Sequence, residues 1–240
     1  MQQSKRTNFT GQEKLFVSMA DGVSHTLLQL TRLSESAQIL PAHRQQEHWA
    51  AIHDITNSSL QLLESYTHLL RLHGGTAEPQ LEPVAITSLL QETMHALGSF
   101  AHQLQVEIVL DMPNRLEPVF SDRAILQSAL VSLGQVFLTA QAETDDKSVL
   151  RLSAHRGRSG IVAGWYGHGY ELSNRALRRA RRMYGAVQQP LHELTSSAAS
   201  GVFIADGLLE AVSSSLHVAR YHNAHGLAAT LPMCRQLQLV

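Results

Sequence analysis

Apolar and small residues recur at alternating steps of four and three along the first third of the chain, a spacing typical of helices that pack nearly parallel to partners. The first run predicts a helix over 15–40, and Pro41 interrupts it. A second run predicts a helix that ends at Gly74 and Gly75, where glycine can adopt the left-handed conformation that closes a helix. Its repeating positions are Ile52, Ile55, Ser59, Leu62, Tyr66 and Leu69. The pattern predicts a long helical hairpin.

Two amphipathic helices cannot bury both of their apolar faces against each other alone. Two copies of the hairpin can bury them in a four-helix bundle, which predicts a homodimer. Trp49 lies near the start of the second helix, and we expect this large apolar side chain to belong to the core rather than to a ligand site.

The pattern changes after the segment TAEPQLEP, and this change predicts a division of the chain into a hairpin (1–75), a linker (76–83) and a second domain (84–240). Asp122 is a candidate N-cap for one helix of that domain. Predicted helices lie at 86–103, 122–140, 172–184 and 202–213, and predicted strands lie at 105–111, 149–154, 160–165, 215–221 and 227–232. This order predicts an α+β chain whose second domain is an α/β sandwich, with helices on one face of the sheet.

Composition limits the possible partners. The 240 residues are 44% hydrophobic and carry a net charge of −1, and no run of eighteen apolar residues occurs, so neither a membrane nor a polyanion is an expected partner. The N-terminus lacks a secretory signal, and the single Cys234 cannot form an internal disulfide, so the expected location is the cytoplasm. Among the 14 histidines, His43, His48 and His53 are each rotated by about 140° on a helix, so no metal site is predicted.

Three stretches of the second domain suggest a family. They are Pro83-Val84 at its start, VFSD at 119–122, and the C-terminal run GLLEAVSSSLHVARYHNAHGLAATLPM at 207–233. In this order, after a helical hairpin, they resemble the core of a sensor histidine kinase. The resemblance implies a dimerising hairpin followed by an ATP-binding sandwich of the GHKL, or Bergerat, type that gyrase and heat-shock ATPases share.

The nucleotide-binding positions of that family are altered in this chain. The asparagine that holds Mg²⁺ corresponds to Val136, and the aspartate that hydrogen-bonds adenine corresponds to Trp165. Gly167 and Gly169 keep the spacing of the first glycine loop, whereas the second loop, SAASG at 197–201, keeps only Gly201. Valine has no metal-ligating atom, and indole cannot accept the adenine hydrogen bond.

These losses predict that the chain binds no nucleotide cofactor and has no autokinase activity, because phosphoryl transfer depends on a metal ion to neutralise charge. The stretch GWYGHGYE at 164–171 is accordingly interpreted as a structural turn rather than a nucleotide cradle.

The resemblance also suggests a phosphate-accepting residue. His25 follows Ser24 on the predicted first helix, and Thr26 stands where the family has the carboxylate base. Gln29 stands where the family's phosphatases orient an attacking water, one helical turn from His25. Other registers place the acceptor at Ser24 or Gly22, and a solvated histidine on the flank of the bundle is the structural alternative.

A cluster of five arginines lies at 175–182. It is interpreted as a solvated helix face, with an acidic protein partner as the alternative. Nucleic acid is not an expected partner, because the net charge is close to zero and no stacking aromatics are interleaved with the arginines.

These features together predict a pseudokinase: a dimeric, non-enzymatic docking module of two-component signalling. Its expected partner is a response-regulator receiver domain or another kinase. The alternative is a histidine phosphotransferase or phosphatase that relays a phosphoryl group through His25, and a third possibility is an active kinase with divergent nucleotide motifs.

Overall fold

The computed structural model describes residues 23, 24, 27, 28, 30–39, 42–142, 149–167 and 196–234. Residues 30–39 are helical and are called α1, and α2 follows over Ala42–His73. The end of α2 is closed by Gly74, whose N–H donates to the carbonyl of Leu70 at 2.8 Å, and by Gly75, which has a φ of +67°. The predicted glycine closure of the second hairpin helix is therefore confirmed.

The part of the chain after α2 alternates helices and strands, as the sequence predicts. The helices are α3 (Ile86–Gln103), α4 (Arg123–Ala142) and α5 (Ser196–Ala211), and the strands are β1 (Glu82–Val84), β2 (Ile108–Asp111), β3 (Val119–Ser121), β4 (Leu150–Arg156), β5 (Ile161–Gly167), β6 (Leu216–Tyr221) and β7 (Ala224–Leu231). The predicted start of the last helix is wrong, since α5 begins at Ser196 and residues 197–201 are helical rather than a loop.

The strands form a five-stranded sheet in the order β2-β4-β5-β7-β6, in which only the β2 and β4 pair is parallel. A separate antiparallel ribbon, β1 with β3, joins the end of this sheet where the N–H of Phe120 donates to the carbonyl of Pro232 at 2.9 Å. Helices α3, α4 and α5 cover one face and share one apolar core with it. The predicted α/β sandwich with helices on one face is confirmed.

Asp122 caps α4 and also holds the linker. Its Oδ1 accepts from the N–H of Ile125 at 3.0 Å, and its Oδ2 accepts from the N–H of Gln80 at 2.7 Å. One carboxylate therefore satisfies a free donor of the first helical turn and fixes the linker to the domain. The N-cap prediction is confirmed.

Helix α4 is the centre of the core. Among the described residues it is the one helix long and apolar enough to cross a membrane, but 67% of that stretch is buried inside the protein. Its hydropathy is explained by contacts with both α5 and the sheet, because a helix buried on several sides is apolar around most of its circumference.

The apolar face of α2 contributes to the same core. Tyr66 and Leu69 are buried in the cluster that contains Leu126 and Leu208 of the second domain. The C-terminal half of the apolar repeat, which was expected to form a dimer interface, is thus buried within the chain. Trp49, expected in the core, is 56% exposed, so it is not part of the core formed within a single chain.

Candidate functional site

The side chain of Trp165 occupies the space between the sheet and α4. It extends from β5 toward the helices and is fully buried. Its indole N–H donates to the backbone carbonyl of Leu130 in α4 at 2.9 Å. Because the polar end of the ring is satisfied and the rest lies in the apolar cluster, the indole is a stable part of the core.

Gly134 of α4 makes room for this ring. A β-carbon at Gly134 would lie 2.6 Å from Cζ2 and 2.9 Å from Cε2 of Trp165, and it would also meet the Cδ1 of Leu97. A glycine inside a helix is unfavourable by about 1 kcal/mol relative to alanine, so its presence here is explained by the contact rather than by helix propensity. The sequence analysis missed Gly134, although a glycine within an otherwise apolar helix is the kind of signal that marks close packing.

Val136 and Gly201, the positions aligned with the metal ligand and the second glycine loop, contact each other. A β-carbon at Gly201 would lie 2.5 Å from Cγ2 of Val136 and 3.1 Å from the carbonyl oxygen of Ser132. Gly201 therefore permits α4 and α5 to approach closely. The buried Oγ of Ser132, in this same contact, has no hydrogen-bond partner. The segment expected to correspond to a phosphate loop is instead the start of a packed helix.

The first half of GWYGHGYE is a strand, which corrects its interpretation as a turn. Residues 164–167 end β5, where Gly167 pairs with His225 of β7. A β-carbon at Gly164 would lie 2.5 Å from the Cα of Ala228, so this glycine allows β7 to lie close to β5. Gly169 and the rest of the motif lie outside the described residues.

The structure brings together Trp165, Val136 and Gly201 around α4. It does not describe His25, Gln29 or the arginine cluster at 175–182, so the roles expected for them stay predictions. Within the described ranges, no group of three or more metal-ligating side chains occurs.

The face of the sheet opposite α3, α4 and α5 carries a second group of buried polar atoms. The hydroxyls of Tyr166 and Ser153 are buried without hydrogen-bond partners, and the ring of Tyr166 lies 5.4 Å from that of Tyr221. Burial, and then the neighbouring Tyr221, raise the pKa of Tyr166 to about 12. Burial also lowers the pKa of His155, with a smaller effect from His222.

Comparison with known proteins gives one consistent fold. No family model matches the chain. A curated relative, the circadian input-output histidine kinase CikA of Synechococcus elongatus, is 27% identical over 123 residues, which cover 46% of this chain and only 16% of that protein.

Solved structures match over more of the chain. Acinetobacter baumannii histidine kinase AdeS superposes with a TM-score of 0.55 at 10% identity, covering 89% of this chain and 98% of that one. Histidine kinase ThkA in complex with the response regulator TrrA gives a TM-score of 0.56 at 13% identity over 93% of this chain and 64% of that one. ShkA in complex with AMPPNP gives a TM-score of 0.54 at 19% identity over 94% of this chain and 47% of that one. The chain has the fold of a histidine kinase core.

Proposed function

We propose that this protein is a docking module of two-component signalling that keeps the histidine kinase fold without binding ATP. It acts as a homodimer and binds a response-regulator receiver domain or another kinase. The observation that supports this proposal most strongly is the position of Trp165. This residue stands where the family's adenine-binding aspartate is expected, and its buried indole N–H donates to the carbonyl of Leu130.

A nucleotide base that entered this space would have to displace the indole. Removing a buried tryptophan from a core costs about 3–5 kcal/mol. Since about 1.4 kcal/mol corresponds to a tenfold change in affinity, displacement weakens binding by roughly a hundredfold or more. Val136 provides no ligand atom for a magnesium ion, and residues 197–201, which align with the family's second glycine loop, begin a packed helix rather than a loop.

Calorimetric titration with Mg²⁺ and a nonhydrolysable ATP analogue at millimolar concentration tests this part of the proposal. The expected result is no binding heat. ShkA, which has been crystallised with AMPPNP, is the positive control under identical conditions. A saturable signal, or a structure with the adenine ring beside Trp165, would contradict the proposal.

The hairpin offers the surface for partners. Leu28 and Ile39 on its first helix, with Trp49 and Leu60 on α2, are apolar side chains that are all more than half exposed. Single exposed apolar side chains are common on protein surfaces, but the spacing of eleven residues within each pair, about 20° around a helix, places the two members of each pair on one face. The complex of the structurally similar ThkA with a response regulator supports a receiver domain as the partner.

Light scattering and receiver-domain binding test the role of this surface. We expect Trp49→Ala to weaken dimerisation or receiver binding at least tenfold. Phe120→Ala is the matched control, because Phe120 is an aromatic residue of β3 with 42% exposure that lies outside the hairpin. Equal behaviour of both variants and the wild type would exclude Trp49 from the partner surface.

The alternative function is a phosphoryl relay through His25. It is favoured by the spacing of Ser24, His25 and Gln29 and by the helical conformation of residues 23, 24, 27 and 28 on either side of them. A relay needs no ATP site, so the loss of nucleotide binding does not exclude it. Incubation with a phosphorylated receiver domain distinguishes the two functions.

Label transfer in the wild type that is lost in His25→Ala, but kept in the control His53→Ala, would establish the relay. His53 is a suitable control because it is an exposed histidine on the other hairpin helix. Absence of transfer in the wild type supports docking without chemistry.

A further inference from the structure

Helix α2 contacts the α/β domain along much of its length. Near its start, the side-chain amide of Gln103 in α3 donates to the carbonyl of Ala50 at 3.2 Å. Further along, the side-chain amide of Gln135 in α4 donates to the Oε1 of Gln61 at 3.2 Å. These two contacts are eleven residues apart on α2, or about 16 Å at a rise of 1.5 Å per residue.

The last turns of α2 are part of the domain's own core. Tyr66 is 3% exposed and Leu69 is 1% exposed, and both belong to the buried cluster formed by α3, α4, α5 and the sheet. Leu62, Leu70 and Leu72 pack against the same cluster. A contact built from a continuous apolar core differs from the smaller, more polar interfaces that let domains of one chain move relative to each other.

The linker is fixed as well. The N–H of Gln80 is bound to the carboxylate of Asp122 at 2.7 Å, and residues 82–84 pair with β3. The chain between α2 and the domain is therefore fixed at its C-terminal end by a side-chain cap and a strand pairing rather than left as a free tether.

We propose that α2 holds the α/β domain in one fixed orientation, so that α2 and the domain move as a single rigid body. The face of α2 that points away from the domain is the one left for partners. Trp49 and Leu60 lie on it, since they are 56% and 51% exposed and their spacing of eleven residues, about 20° around a helix, places them on one face. Docking partners thus meet a preformed platform, and signalling does not depend on rotation of the domain against α2. The rigid connection is inferred from the contacts of the fold, and its consequence for docking partners rests on the proposed function.

Distance measurement between two spin labels tests the rigid connection. In a Cys234→Ser background, labels are placed at the exposed positions of Gln46→Cys on α2 and Ser159→Cys in the turn after β4. Labelled protein is diluted with unlabelled protein so that distances between copies do not contribute. The expected result is one narrow distance distribution, and a broad or bimodal distribution in the wild type would overturn the proposal.

Variants identify the contacts responsible. Tyr66→Ala combined with Leu69→Ala is expected to broaden the distribution, whereas Leu60→Ala, on the exposed side of α2, should leave it unchanged. If circular dichroism shows that the double variant is unfolded, the milder Leu62→Ala replaces it and should give partial broadening. An unchanged narrow distribution in a folded double variant would refute the assignment of these residues. Because neither nucleotide nor receiver is present, the result is independent of the tests of docking and ATP binding.

Discussion

Gly201 lies directly against Val136, at a separation that leaves no room for a side chain between α4 and α5. The two positions that the family resemblance assigns to phosphate and metal binding are thus in contact with each other. In this protein, the two residues let α4 and α5 pack closely, which is a structural role and not ligand binding.

Replacing Gly201 by alanine should destabilise the protein. The methyl group would meet Cγ2 of Val136 and the carbonyl of Ser132, and a valine in a helix has little freedom to rotate away. We expect a loss of about 2–3 kcal/mol from overpacking, which exceeds the gain of about 1 kcal/mol from helix propensity. Urea unfolding measures the difference. The double variant Gly201→Ala with Val136→Ala should recover most of the loss, and a more stable single variant would contradict the close contact.

Gly134 and Trp165 should be energetically coupled. Gly134→Ala forces a methyl group into the indole ring, and we expect it to lower the free energy of unfolding by about 2–3 kcal/mol. Trp165→Phe removes both the hydrogen bond to Leu130 and part of the ring. In the double variant the methyl group occupies the vacated space, so the combined loss should be smaller than the sum by about 1 kcal/mol or more. Additive losses in a double-mutant cycle would show that the two sites are independent.

Tyr166 should make stability fall at high pH. Its pKa is raised to about 12 in the folded protein, against about 10 when unfolded, so only the unfolded chain releases the proton between these values. This contribution is complete below pH 10 and is lost as the pH rises toward 12, by roughly 2–3 kcal/mol. Urea unfolding at pH 8 and pH 11 should show about half of this loss, since pH 11 lies midway between the two pKa values.

Tyr166→Phe provides the comparison for this pH dependence. It removes a buried hydroxyl that has no partner, so we expect the variant to be more stable at pH 8 by about 1 kcal/mol. The variant should also lose less stability than the wild type between the two pH values. Equal losses in both proteins would assign the alkaline transition to other groups.

Asp122 should be required for the stability of α4 and of the linker. Asp122→Ala removes two hydrogen bonds and should cost about 1–2 kcal/mol, detected as a lower thermal unfolding midpoint. Asp122→Asn should be intermediate, because its amide keeps one acceptor oxygen and cannot accept both N–H groups. Equal midpoints for the alanine variant and the wild type would show that water replaces the cap.

The sequence was sufficient to predict the helices and strands that have a long, regular periodicity. The bounds of α3, the cap of α4 and the strands of the main sheet follow from apolar spacing and turn residues. The three-residue strands β1 and β3 are too short to show a period, and they form because the ribbon is held at the edge of the sheet. The start of α5 was missed because small residues with no apolar spacing precede Gly201, and packing against α4 rather than local pattern supports a helix there.

Periodicity also identified the apolar face of α2 but not its partner. Tyr66 and Leu69 fit a dimer seam and an intrachain core equally well, since both are buried apolar environments. Similarly, the replacement at Trp165 could be found by resemblance, whereas its contact with Gly134 depends on a helix and a strand meeting in three dimensions. The exposure of Trp49 could not be predicted for a similar reason, because an amphipathic pattern does not show which side of a helix remains uncovered.

The contrasting surroundings of the two tryptophans make the protein's own fluorescence informative. The fully buried Trp165 should emit at shorter wavelength and be shielded from iodide, whereas Trp49, with 56% exposure, should emit at longer wavelength and be open to the quencher. A partner that covers the hairpin therefore changes the red, quenchable component alone, while the blue component reports whether the core is intact. Docking and unfolding can thus be separated optically in the unlabelled chain.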